Sequence, residues 1–163
     1  MKGNVIKYDE KNINTDLIIP ARYLIKSDPD YLAKHCMEDL DKDFILRKEQ
    51  MGASIIVAGP NFGCGSSREQ APIALKASGI ECVIAPSFAR IFFRNCINIG
   101  LPIIEFKDID EIHTSDEIEI EFTEGILNNC STKQKYKIMR MPPFIQEIIQ
   151  SNGLVNFARN RIL

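Results

Sequence analysis

The 163 residues, 45% of them hydrophobic and 26% charged, describe one folded domain over residues 1–163 rather than a disordered chain. With 20 basic against 22 acidic side chains there is no electrostatic footprint for nucleic acid. There is also no apolar run near the roughly 18 residues of a membrane span, and no secretion signal in MKGNVIKYDEKN. Five cysteines (Cys36, Cys64, Cys82, Cys96, Cys130) without a CxxC, and two histidines, build no ordinary zinc or iron–sulfur site and fit a reduced, cytoplasmic compartment.

In chain order, the first 25 residues read as extended, with the apolar run Leu17, Ile18, Ile19 stopped by Pro20. Asp28-Pro29 reads as a turn before a short helix over 31–37. A second helix over 44–51 ends at Gly52. Residues 54–58, SIIVA, form a continuous apolar run closed by Gly59-Pro60, the pattern of a strand buried on both faces. A glycine-rich loop and a helix ending at Gly79 follow. Residues 81–85 form a second buried strand, and Ser87 is positioned to cap a helix carrying Phe88, Ile91, Phe92 and Ile99 near one face. Residues 102–106 are a third strand. This βαβαβ order implies a parallel sheet. The alternation EIEIEF over 117–122 instead suits a strand with one solvated face. Strands near 125–129 and 136–139 and a helix after Pro142-Pro143 complete the chain. The fold class is α/β, a mainly parallel core sheet with an added antiparallel portion.

The segment with most chemical content is 59–70, GPNFGCGSSREQ, which leaves a buried strand and enters a helix. Ligands of open α/β sheets bind at that position. Gly63 and Gly65 let backbone N–H groups approach a ligand, and the helix start adds positive potential. Arg68, read as lying in the first helical turn, opposes the macrodipole unless an anion sits between it and the amides. A guanidinium suits a carboxylate. There is no GxxxxGK[ST] and no GxSxG, and GxGxxG fails at Arg68. A small carboxylate therefore fits better than a nucleotide. Ser66-x-x-Glu69 and Ser67-x-x-Gln70 each match a capping box, a competing structural role. Pro72 delays the regular helix to about Glu69 and leaves at least one serine hydroxyl uncommitted. Cys64 lies beside a helix start, but no histidine is near it in sequence to activate it.

GPNFGCGSSREQAP, with INTDLIIPARYL before it, APSFARIFFRNCINIGLP after it and NGLVN at 152–156, resembles the small subunits of 3-isopropylmalate dehydratase, in their short archaeal and bacterial form, within the aconitase superfamily. The resemblance runs nearly end to end. It implies the swivelling β/β/α domain as a separate polypeptide, active only with a large subunit that holds a [4Fe–4S] cluster, none being bound by this chain. It implies a dehydration and rehydration that interconverts 2-isopropylmalate and 3-isopropylmalate in leucine biosynthesis, through isopropylmaleate. By the same resemblance Ser66 is the catalytic base, Asp16 of the NTD element a catalytic-site aspartate, and Ser67 and Arg68, with Gly65, bind the small dicarboxylate substrate.

The family segment after PARYL contacts the substituent that differs among substrates. Homoaconitase-like relatives carry arginine where this chain has Ile25, after Leu24. An apolar side chain suits an isopropyl group, worth about 1–3 kcal/mol of discrimination. Lys26 is adjacent and able to reach a carboxylate. Homocitrate, citramalate and dimethylmalate remain alternative substrates, and a non-catalytic carboxylate-binding module is the alternative of another class. Arg90 and Arg94, four apart, are open to the active site, to the partner or to pairing with acids. His35 and His113 read as surface residues, Cys82 and Cys96 as packed thiols. Without its large subunit the chain is free to self-associate.

Overall fold

The computed structural model describes residues 1–162. Four strands, β1 (Lys2–Tyr8), β2 (Ala53–Ala58), β3 (Cys82–Ala85) and β4 (Ile103–Glu105), pair in parallel. Three more, β5 (Glu117–Glu121), β6 (Ile126–Asn129) and β7 (Gln134–Lys137), add an antiparallel flank. The sheet order is β4-β3-β2-β1-β5-β6-β7. The expected mixed sheet is therefore present, and β1 joins its parallel part.

Alternate residues of the parallel strands feed two cores. Ile6, Ile56, Val83 and Ile103 face a helical layer. Val5, Ile55, Ile84 and Ile104 share the opposite core with Ile118, Ile120 and Leu127 of β5 and β6. The antiparallel flank thus curls over the face that the helices leave open. Burial on both sides explains why β2 and β3 are continuous apolar runs, whereas β5 alternates. Each fully buried aliphatic side chain here contributes about 1.5–3 kcal/mol.

The helices are α1 (Thr15–Ile18), α2 (Pro29–Lys34), α3 (Phe44–Met51), α4 (Gln70–Ala77), α5 (Arg90–Ile99), α6 (Pro143–Gln150) and α7 (Leu154–Ile162). Several differ from the sequence expectation. The run at 17–19 is not extended: Asn14 accepts a bond from the Leu17 N–H at 3.0 Å and starts a helical turn. The next helix begins earlier than expected because Asp28 caps it through the Tyr31 N–H (2.8 Å), with Pro29 in its first turn. Ser87 caps nothing. The residue before α5 is Ala89, and the Ser87 hydroxyl instead accepts from the Asn61 N–H at 2.9 Å. Phe92 is buried as expected, but Ile91 is 50% exposed. His35 is not a free surface residue either; its ring stacks on Tyr23 at 3.7 Å.

Because β1, β2 and β3 run in parallel, the loops leaving their C-terminal ends gather along one edge of the sheet. No helix among the described residues is long and apolar enough to cross a membrane.

All five cysteines are free. Cys36, Cys82 and Cys96 are buried, and burial pushes the Cys36 thiol up to about 12 and the other two upward as well. Titrating native protein with a thiol reagent is expected to modify Cys64 and Cys130 quickly and the other three only after unfolding. Fast modification of Cys82 in native protein would contradict this packing.

Candidate active site

Three loops build the site. The loop after β2 lies between the segment after β1 and the segment after β3, fixed by main-chain bonds to each. On one side the Asn12 N–H donates to the Pro60 carbonyl (2.9 Å), the Gly63 N–H to Ile13 (2.8 Å) and the Thr15 N–H to Cys64 (2.9 Å). On the other, the Phe62 N–H donates to Ser87 (3.1 Å) and the Ala89 N–H to Phe62 (3.0 Å). Gly63 has φ +75°, and a Cβ there would overlap the Phe92 ring. Gly65, with φ +89°, turns the chain outward before the two serines.

The capping role expected as a competitor for the serines is absent. α4 starts at Gln70 after Glu69, with no side-chain cap bond. Among the described residues neither the Ser66 nor the Ser67 hydroxyl has a protein partner, and the N–H groups of Gly65, Ser66, Ser67 and Arg68 donate to no protein acceptor. The Ser66 carbonyl accepts from the Thr15 hydroxyl at 3.0 Å, which orients this stretch from beneath. All four residues are at least partly accessible. The result is a run of free donors at the entrance to a helix, a geometry suited to an anion.

Arg68 requires a correction. It precedes α4 rather than occupying its first turn, and its charge already has a protein partner: Nη1 donates to Asp16 Oδ1 at 2.6 Å and to the Ile19 carbonyl at 3.4 Å. Among the described residues its Nε and Nη2 bond to nothing. As no buried side-chain nitrogen lacks a partner, these two remain reachable. Asp16 is 53% exposed, so the pair contributes at most about 1 kcal/mol to stability. Its effect is to aim the guanidinium.

Gly65, Ser66, Ser67, Arg68, Thr15 and Arg90 line a common open cleft of about 170 Å³, whose floor includes Phe92. This is small beside the roughly 300–1,000 Å³ of pockets for larger ligands. A second hollow of about 280 Å³, lined by Phe93, Ile104, Phe122, Met139 and Met141, is mostly apolar and has no hydroxyl or thiol in its lining. Thr15, Ala89, Ile91 and Phe92 line the cleft without having a site role in the sequence reading, and Arg90, left open there between active site, partner and ion pairing, lies in it too. Thr15 borders the quoted NTD element, and Arg90 opens the helix after APSFA. No group of three His, Cys, Asp or Glu among the described residues could hold a metal ion.

Leu24 and Ile25 do not line the cleft. Leu24 packs partly into the main core, and Ile25 is 81% exposed. The residues just before them are anchored. Arg22 donates to both oxygens of Asp39 (2.8 and 2.5 Å), the Tyr23 hydroxyl donates to Glu38 (2.9 Å), and His35 Nδ1 lies 2.9 Å from the other Glu38 oxygen. Hydrogen bonds from His35 and Tyr23 hold the Glu38 carboxyl below its ordinary range, and the Arg22 bonds do the same for Asp39.

Two measurements test this geometry. Gly63→Ala is expected to destabilise the protein by about 2 kcal/mol or more, from positive-φ strain plus overlap with Phe92, read as a lower Tm. Because Glu38 and Asp39 titrate lower in the folded state, their contribution is complete above the ordinary carboxylate range and is lost as pH falls through the depressed values. Hydrogen-exchange protection of residues 21–39, corrected for intrinsic rate, is expected to fall progressively as the pH is lowered below about 5, and to fall less in Arg22→Ala, which lacks the Asp39 anchor from the outset.

Comparison with known proteins gives the family. The Aconitase C-terminal domain family matches residues 2–109. The chain is 54% identical over 162 residues to the 3-isopropylmalate dehydratase small subunit of Caldicellulosiruptor bescii, covering 99% of this chain and 96% of that one. It is 55% identical over 157 residues to that of Helicobacter hepaticus, covering 96% and 93%. A crystal structure of 3-isopropylmalate dehydratase from Methanocaldococcus jannaschii matches with a TM-score of 0.86 at 44% identity, over 99% of this chain and 94% of that one. The chain belongs to the family of 3-isopropylmalate dehydratase small subunits, a branch of the aconitase hydro-lyases.

Proposed function

We propose that the chain acts with a large subunit as a hydro-lyase that interconverts 2-isopropylmalate and 3-isopropylmalate. One observation carries the reading: two unpartnered serine hydroxyls, four free main-chain N–H groups and an oriented guanidinium meet at one cleft. The substrate is that of the chain's relatives, the 3-isopropylmalate dehydratases.

Ser66, as its alkoxide, takes the proton from the carbon beside a carboxylate and returns it on rehydration. Elimination removes that proton and the neighbouring hydroxyl as water; addition in the opposite orientation completes the isomerisation. Serine is a weak base in water, so its alkoxide needs donors placed in advance and water excluded. The free amides and the start of α4 supply the donors. Ser67 and the open edge of Arg68 hold a substrate carboxylate, and Asp16 keeps Arg68 aimed. The [4Fe–4S] cluster that the family resemblance implies would be held by the large subunit and would supply Lewis acidity toward the departing hydroxyl. Leu24 and Ile25 meet the isopropyl group once the large subunit closes over the face. The free thiols fit a cytoplasmic enzyme.

In the complex reconstituted with a large subunit, Ser66→Ala is expected to lower kcat by about 10²–10⁴-fold with subunit affinity unchanged. Intact turnover would leave a carboxylate-binding module as the better reading. The wild-type complex is expected to turn over 3-isopropylmalate faster than homocitrate or citrate; faster homocitrate turnover would overturn the substrate assignment.

A further inference from the structure

The charged residues lining the cleft are Arg68 and Arg90. They are not equivalent. Arg68 is neutralised by Asp16 at 2.6 Å, whereas Arg90 has no carboxylate within 4.0 Å and no hydrogen-bond acceptor among the described residues. Arg90 also opens α5, whose first turn has no acidic residue and whose cap, Ala89, makes no side-chain bond. A cation there opposes the helix dipole. The expectation that an external anion compensates a misplaced arginine therefore fits Arg90 rather than Arg68. A solvated arginine needs no partner, so its position beside the two serines is what gives it meaning.

Resting on the dicarboxylate reading above, we propose that Arg90 binds the substrate's second carboxylate. One carboxylate then lies on Ser67 and Arg68, presented by the loop after β2, and the other lies on Arg90, presented by α5. The two elements cannot slide apart: Gly63 packs on Phe92, and the Phe62–Ser87 and Phe62–Ala89 main-chain bonds tie the loop to the lead-in of the helix. The frame holds the backbones that carry the two arginines in place relative to each other.

The test uses the reconstituted two-subunit enzyme, Arg90→Ala and Arg90→Lys, with 3-isopropylmalate and its two monoamides as substrates or competitive ligands. Arg90 is exposed, so both variants are expected to fold as wild type. Arg90→Ala is expected to raise KM, or the inhibition constant, by about 10–100-fold, the loss of a hydrogen-bonded charge pair. Subunit affinity stays unchanged. Arg90→Lys restores part of the loss by keeping the charge without the fork. The decisive readout is non-additivity: in Arg90→Ala, amidating one particular carboxylate costs little more, while amidating the other keeps its full wild-type penalty. An unchanged KM, equal penalties for both amides, or a loss traced to weaker subunit association would overturn the assignment, the last making Arg90 an interface residue. A wild-type complex that neither binds nor converts 3-isopropylmalate would overturn the dicarboxylate reading, and this one with it. Wild-type turnover with an unaffected Arg90→Ala overturns the Arg90 assignment alone.

Discussion

The parallel pairing of β1, β2 and β3 is the constraint on which the rest depends. It sends three connections out of one edge of the sheet, and the middle one is held by main-chain bonds to both neighbours. Residues distant in sequence thereby meet: Thr15 beneath Ser66, Asp16 against Arg68, Phe92 against Gly63. These bonds consume the main-chain donors at Asn12, Phe62, Gly63, Thr15 and Ala89 and leave those at 65–68 free. The loop is rigid where it is tied and open where it is not, which is how a frame presents donors at little cost in reorganisation.

Much of the fold could be read in advance because its signals are local. Continuous apolar runs at β2 and β3, alternation at β5 and glycines ending α3 and α5 each follow from one-dimensional pattern. The misreadings share a cause: a polar side chain with two possible partners. Ser87 stands where a helix cap belongs, but its hydroxyl is taken by Asn61, which is distant in sequence. Asn14, inside a stretch that reads as extended, caps a turn instead.

The same distinction divides the site. Its loop stood out because glycines, serines and an arginine crowd a strand-to-helix passage. Its electrostatics did not, because the Asp16–Arg68 pair spans 52 residues and no local rule reports it. Once that pair is seen, the cleft lining changes from one uncompensated cation at position 68 to one at position 90. Likewise His35 looks like an ordinary surface histidine until the chain folds it onto Tyr23 and Glu38.

Ile25 projects from a segment whose own anchor, Arg22 with Asp39 and Tyr23 with Glu38, shares no residue with the serine loop. An exposed side chain beside such an independent anchor can be exchanged with little strain on either core. The anchor of this segment and the tie points of the serine loop are thus separate parts of the chain. The buried architecture therefore places little demand on which side chain stands at position 25.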